Sequence, residues 1–479
     1  MVITLDLGTS SARATLYDLR GHAVPGRFHQ VTYAPTVTPD GGVEHNPAVL
    51  LEAVATCLDA VTRASRHDDI RGVGVSTFWH GLLGFDAAGH PITPIFTWAD
   101  SRSASDAALL RSALDDRALH ARTGCHLHSS YWPAKLRWLT RERPADVQHV
   151  ARWGSIGEHL ELALFGETAT SVSMASGTGL LDQETMRWDP EAMAAAGVEP
   201  EQLFPLAAGG ERRGLRAPWS ARWPALRGVP WYPAVGDGAA SNVGSDCVDP
   251  SRIALNVGTS AAIRLVTGAS GAAPIGLWRY RVDPRRALIG GATSEGGNVY
   301  AWCHDVLKLA PSAEVERALA TRVPDSHGLT VLPFLAGERA PGWRGDRRAV
   351  IGGLSLSTTA LDIAHAAMEA VVLRLMLIYA RLAPLARPEH RVVASGGAVA
   401  HSRAWTRMLA DGLGRAVHWS SESEATSRGA ALLALEALGA LPDITAAPAP
   451  LGEVFAPDPA HHARYLAALE RQQHLDERV

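Results

Sequence analysis

The stretch LDLGTS at residues 5–10 is written a second time as LNVGTS at residues 255–260. The match extends beyond those six residues. ITLDLGTSSAR, starting at Ile3, runs against IALNVGTSAAI, starting at Ile253. In each copy an apolar strand pattern enters a Gly-Thr-Ser turn and leaves through a second strand, the signature of a β-hairpin. One strand-and-turn repeated half a chain apart implies two related halves. The change that matters chemically is Asp6, which becomes Asn256 in the second copy.

A Gly-Thr-Ser turn gathers backbone N–H groups and two hydroxyls in a small volume, and glycine removes the Cβ that would hold a phosphate away. A single such turn is commonly an ordinary hairpin turn. Two in register suggest a nucleotide lying in a cleft between two related domains. An aspartate at the end of a buried strand is costly unless it meets a cation or donors. Mg²⁺ on a triphosphate would supply that partner to Asp6, whereas Asn256 keeps the hydrogen bonding and drops the charge. A second carboxylate, Asp237 in AVGDGAASNVG, lies between glycines at a strand end, where it can project into a cleft. Phosphoryl transfer to an alcohol needs a group that accepts the hydroxyl proton, and a carboxylate can do so. A third glycine turn, SGGAVAHS (395–402), joins a strand to a helix and suits either an adenine or a phosphate.

Length and composition are compatible with this reading. A chain of 479 residues is too long for one ordinary core, so two large domains are expected. With 47% hydrophobic and 20% charged residues, it has the balance of a soluble globular protein. A formal net charge of −4 makes no electrostatic case for nucleic acid or an anionic membrane. Cys57, Cys125, Cys247 and Cys303 show no CxxC spacing, which argues against zinc and disulfides and for free thiols in a reducing cytoplasm. The N-terminus shows no secretory signal. The most apolar helical stretch, Ala366 to Leu382, carries Glu369, Arg374 and Arg381. It is too short and too charged to span a bilayer, and reads as a core helix.

Strands alternate with helices along the chain, which indicates an α/β layer structure. After the first hairpin comes a helix over 46–65, with Asn46 as N-cap and Pro47 at its first position. A buried strand follows at 71–77. The second half restarts at RIALNVGTSAAIRLV (252–266) and continues with a strand at 390–397, a helix over 398–414 and another over 425–439. APAPLG (447–452) reads as a surface connection. The domain boundary is expected near 246–251, giving domains 1–248 and 249–479.

Taken in order, these segments resemble the FGGY carbohydrate kinases of the sugar kinase–actin–heat-shock ATPase superfamily. LDLGTSSARATLYD is similar to the family's first phosphate hairpin, LNVGTSAAIRL to the second and ASGGAVAHSRAWTRMLAD to its adenosine segment. GGLSLSTTALDIAHAAMEA (352–370) follows the family signature of G-L, seven residues, D-I, two residues, A-A-M-E, and PFLAGERAPGW (333–343) resembles the segment before it. The resemblance implies two ribonuclease-H-like (actin-like ATPase) domains of α/β class closing over a central interdomain cleft. It also implies ATP and Mg²⁺ as the partners of a small-molecule sugar or sugar acid, and a homodimer at family level. By position it makes Asp237 the catalytic base and Asp6 the magnesium-linked carboxylate. It puts Gly8, Thr9, Ser10 and Ser11 on one phosphate loop, Gly258 and Thr259 on the other, and Gly297, Gly396, Gly397 and His401 at the nucleotide. His401 stands where glycerol kinases carry an asparagine.

For the substrate, FWHG (78–81) and TWADSR (97–102) match the two pocket segments. Trp79 or Trp98 would supply an apolar face, and His80, Asp100 and Arg102 polar groups at fixed angles. TWADSR, RTGCHLH (122–128) and SMASGTGLLD (173–182) resemble the gluconokinase branch, whereas WHG is closer to xylulokinases. The Arg-Glu pair of glycerol kinases is absent at 80–81. HLHSSYWPAK (126–135) departs from the family pattern and leaves a pocket role open for His128; His126 and His128 lack a third ligand for a metal. The expectation is a gluconate kinase, with xylulose or another ketose or polyol as the alternative and a non-catalytic actin-like protein as the remote one.

Overall fold

The computed structural model describes residues 1–207 and 210–479. Strand Val2–Leu7 pairs antiparallel with Ser11–Tyr17, which pairs with Ala23–Thr32; its other edge is parallel to Gly72–Thr77, followed by Val235–Gly236. The second half repeats this order. Arg252–Val257 pairs antiparallel with Ala261–Gly268 and through it with Arg286–Thr293, and on its other edge is parallel to Arg391–Ser395 and then Val417–Ser420. The repetition therefore covers whole sheets as well as the quoted hairpins. Two further strands, Trp278–Arg281 and Leu451–Phe455, extend the edges of the second sheet.

The two halves meet where helix Asp237–Gly244 crosses helix Ala425–Ala437. A Cβ on Gly244 would lie 1.7 Å from the Ala425 carbonyl oxygen, and one on Gly429 would lie 1.8 Å from that of Ala240. Only glycine permits so close a backbone crossing. The second of these helices also reaches the first sheet, where the Ser427 hydroxyl hydrogen-bonds Thr4 at 2.6 Å.

Local signals act as read at Asn46, whose side chain accepts from the Ala48 amide ahead of helix Pro47–Ala64. Three expectations need correction. The core helix is Ala360–Leu382, 23 residues, opened by a Thr359–Asp362 capping box, so it is long enough to cross a bilayer. Packing, not shortness, decides its place, since its apolar window is 83% buried inside the protein and its buried charges are paired. Arg374 meets Glu338 and Asp476, and Glu369 meets His327 and His365. The helix expected over 398–414 is broken into Gly397–Ala400 and Arg403–Leu413, because the Ser402 side chain accepts from the Trp405 amide and caps a new start. The 447–452 stretch is no simple surface connection. Ala447 and Ala449 are buried, the Ala447 carbonyl accepts from Arg428, and Leu451 begins the edge strand.

Candidate active site

Ligands of open α/β sheets bind beyond the carboxyl ends of the parallel strands, and the chemistry-bearing residues collect there. Asp237 follows strand Val235–Gly236 and opens its helix. The Trp79 indole packs beneath this turn so closely that a Cβ on Gly236 would fall 1.9 Å from the ring. The indole N–H is held by the Ser173 carbonyl at 2.9 Å. Burial raises the proton affinity of Asp237 above the usual carboxylate range; Arg264, the Gly238 amide and Arg339 pull against that rise.

Asp6 sits near the end of strand Val2–Leu7, on the far side of Gly72–Thr77 from Asp237. Burial pushes its pKa up to about 7 against the pull of Arg13, and the Asp237 charge adds to the rise. Arg13 Nη1 lies 3.2 Å from Asp6 Oδ2, while buried Oδ1 has no hydrogen-bond partner among the described residues. An orphaned carboxylate oxygen close to a second carboxylate fits a divalent cation.

Across the cleft, three backbone segments converge. The Gly297 amide donates to the Gly258 carbonyl at 2.7 Å and the Asn298 amide to Thr259 at 3.2 Å, so helix Gly297–Leu307 starts against the second hairpin. Gly396, at φ +105°, lies against Val257, where a Cβ would come within 2.5 Å of a carbonyl oxygen. Gly397 has open space around it. Gly258, Thr259, Gly297, Gly396 and Gly397 thus form one cradle lined by main chain. On the opposite side Gly8, Thr9 and Ser10 make the first turn, fixed by the Tyr33 hydroxyl donating to the Gly8 carbonyl at 2.7 Å. Ser11 is already inside the following strand and buried. His401 ends the short helix, exposed to solvent.

The substrate-side residues divide into two groups. His80 is buried between the Tyr131 and Tyr280 rings. Burial holds its pKa down to about 3, and the cations Arg339 and Lys135 add to the fall. The neutral ring directs Nδ1–H at the Gly177 carbonyl, an assignment made from the hydrogen-bond network, and this leaves Nε2 as an acceptor. The half-buried Trp98 carries Arg339 over its face, 5.2 Å from guanidinium carbon to ring centroid. Asp100 and Arg102 are committed to each other instead. Arg102 Nε donates to Asp100 at 3.0 Å, Glu44 joins the pair, and the guanidinium lies over Trp138. His128 Nδ1 accepts from the Ser130 amide, and its Nε2 lies against Gly345 with no partner. His126 has both ring nitrogens engaged, with Asp116 and with the Gly276 amide.

Three cationic residues of this region were not singled out in the sequence. Lys135 is buried, and its ammonium donates to the carbonyls of His80, Thr97 and Ser130 at 3.1, 2.6 and 3.0 Å. It ties together the three segments around the pocket. Arg264 reaches the Asp237–Gly238 turn, its Nε 3.3 Å from where a Gly238 Cβ would be. Arg339 is brought over Trp98 by the 333–343 loop. An arginine inside the apolar run AAIRLV was a readable signal for Arg264; Arg339 had none beyond its place in GERAP. A separate cavity of about 580 Å³ lies among Ser171, Tyr232, Val235, Asp283 and Ala434. It contains neither Asp6 nor Asp237.

The sequence and the fold recur in known proteins. A profile of the FGGY family of carbohydrate kinases, N-terminal domain, matches residues 1–244, and the C-terminal domain profile of the same family matches residues 253–438. The chain is 30% identical to a gluconokinase of Bacillus subtilis over 472 residues, 95% of this chain and 91% of that protein. It superimposes on the crystal structure of a ligand-bound xylulose kinase from Lactobacillus acidophilus with a TM-score of 0.92. Identity there is 25%, covering 99% of this chain and 97% of the other. A gluconate kinase structure from the same organism gives 0.91 with the same identity and coverage.

Proposed function

Because the chain belongs to the FGGY family of carbohydrate kinases, we propose that it phosphorylates gluconate, or a closely related sugar acid, at a terminal hydroxyl. Mg-ATP supplies the phosphoryl group. The observation that carries this reading is Asp237 and Asp6 at the ends of the two strands that flank Gly72–Thr77 in one sheet, opposite a cradle lined by main chain. Asp237 accepts the hydroxyl proton as the new O–P bond forms and the bond to the ADP oxygen breaks. Its burial strengthens it as a base. Asp6 is the group to hold Mg²⁺, and Gly8–Ser10 with Gly258, Thr259, Gly297, Gly396 and Gly397 are the groups to hold phosphates and adenosine. His80, kept neutral by burial, offers Nε2 to a substrate hydroxyl, and Lys135 fixes the carbonyls that frame the pocket. Likeness to a gluconokinase along nearly the whole chain supports gluconate over a neutral ketose.

The test is an ADP-release assay over gluconate, D-xylulose, D-ribulose, L-ribulose, erythritol and glycerol. We expect gluconate to give the highest kcat/KM. Preference for D-xylulose would replace the substrate, and turnover of none would count against the proposed site chemistry.

A further inference from the structure

A short strand, Val43–His45, lies outside both large sheets and pairs with Thr36–Val37 and Ile95–Phe96. Side chains alternate along a strand. Glu44 turns to Arg102, which also holds Asp100. Its neighbour His45 turns the other way, into the protein, where it is 3% exposed. The His45 ring stands edge-on to Tyr33, with centroids 5.5 Å apart and planes at 82°, and lies 6.0 Å from the Phe78 ring. No step of the proposed reaction uses it.

Both neighbours of this ring reach the first phosphate-type turn. The Tyr33 hydroxyl donates to the Gly8 carbonyl at 2.7 Å, and the Tyr33 amide donates to the Ser10 carbonyl at 3.0 Å. Burial raises the ionisation of that hydroxyl above its ordinary range, so it stays a donor. The Phe78 amide donates to the Leu7 carbonyl at 2.9 Å, one residue before the turn. His45 also meets the turn itself. Burial lowers its pKa and keeps the ring neutral at pH 7, while the Thr9 backbone opposes that fall. Nε2 is sealed from water and has no hydrogen-bond partner among the described residues. A phenylalanine would fill the space between Tyr33 and Phe78 with no unpaired buried nitrogen. An imidazole that carries that cost is placed there for its polar contact with Thr9.

Resting on the kinase reading above, we propose that His45 is a positioning residue for the nucleotide. Through Thr9 and Tyr33 it sets the main-chain geometry in which Gly8–Ser10 meet the phosphates, and it touches no reacting atom itself. The turn is made of small residues, half-buried at Gly8 and Thr9 and exposed at Ser10, so it has little packing of its own to hold it. Groups that bind in a fixed geometry lose their effect when the backbone behind them shifts. The contribution of His45 therefore falls on the phosphates, and neither adenosine nor the sugar depends on it.

The experiment measures binding of Mg-ATP and of adenosine by calorimetry, together with steady-state kinetics and melting temperatures. It compares the parent with His45→Phe, His45→Leu, His45→Gln and Tyr33→Phe. For His45→Phe and His45→Leu we expect the Kd for Mg-ATP to rise about 10-fold. Adenosine affinity and the KM for the parent's preferred sugar should stay within about 2-fold. His45→Leu guards against a misfit of the phenylalanine ring, and the melting temperatures identify which variants fold. His45→Gln, whose amide can still donate to the Thr9 backbone, should recover most of the loss. Tyr33→Phe gives up only the Gly8 bond and should reproduce part of it. Unchanged Mg-ATP affinity in the folded His45→Phe or His45→Leu protein, or equal losses for Mg-ATP and adenosine, would overturn the assignment and leave the kinase reading intact. A parent that binds no Mg-ATP would remove the kinase reading, and this inference with it.

Discussion

The two hairpins that share a sequence differ in build. In the first, Leu7 pairs with Ala12, so Gly8 to Ser11 separate the paired positions; in the second, Val257 pairs with Ala261, so only Gly258 to Ser260 separate them, one residue fewer. That single residue moves the register of the returning strand. Asp6 faces Arg13 and forms an ion pair with it. Asn256 faces Ala262, and its side-chain amide donates sideways to the Ser395 hydroxyl at 3.1 Å. The first jaw thus carries a strained, half-neutralised carboxylate and the second an uncharged clip tied to the neighbouring strand. On the proposed reading both turns serve phosphate, and only the first has a charge to offer a metal ion.

The comparison can be broken first at the residue that belongs to neither hairpin. Asp237→Ala should lower kcat about 10³- to 10⁴-fold and leave ATP affinity, measured by calorimetry, within a few-fold of the parent. If it costs less than loss of Asp6, proton acceptance is not the work of Asp237. Next come the hairpins as a pair. Asp6→Asn makes the first jaw resemble the second, and should lower kcat/KM for ATP about 100-fold or more, with a raised Mg²⁺ requirement. Asn256→Ala, which removes only the Ser395 bond, should cost about 10-fold or less. Equal losses in the two variants would mean that the asymmetry has no functional content.

How much of this could be read from the sequence depends on the range of the interaction. The hairpins were legible because period-two apolar strands and a Gly-Thr-Ser turn are local signals. Asp6 stood out because a carboxylate at the end of a buried strand is locally costly, and Asp237 only through its place in a chain with two such hairpins and through the family resemblance. Asp100 and Arg102 show where that logic stops. They read as pocket polar groups in TWADSR, and the folded chain adds what that segment cannot show, an ion pair between them that also takes in Glu44 from strand Val43–His45. Arg264 and Arg339 fail in the opposite direction. Arg264 stands out only as an arginine in an apolar run and Arg339 hardly at all, and the folded chain alone shows two guanidiniums without counter-ions beside one carboxylate. The break at His401–Ser402 was readable, since serine is a strong N-cap, but an unbroken apolar period over 398–414 concealed it.

The smallest expected effect separates the charge of Asp6 from its shape. A buried carboxylate whose pKa is raised from 3.8 to about 7 binds its proton more tightly in the folded protein than in the unfolded chain. Between those two values, folding stability therefore falls as pH rises, and above about pH 7 the full penalty is present. Asn cannot ionise and escapes it, although it also gives up the Arg13 pairing that offsets part of the cost. Without nucleotide or Mg²⁺, Asp6→Asn should melt about 1–3 °C above the parent at pH 8, with the difference shrinking as pH is lowered through this range and vanishing only below 3.8. Added Mg-ATP should reverse the order, because only the parent has a charge to offer the cation. A variant that melts below the parent at pH 8 would show that Arg13 already neutralises Asp6. The first jaw would then be as uncharged in effect as the second, and the difference between the hairpins would reduce to the length of their turns.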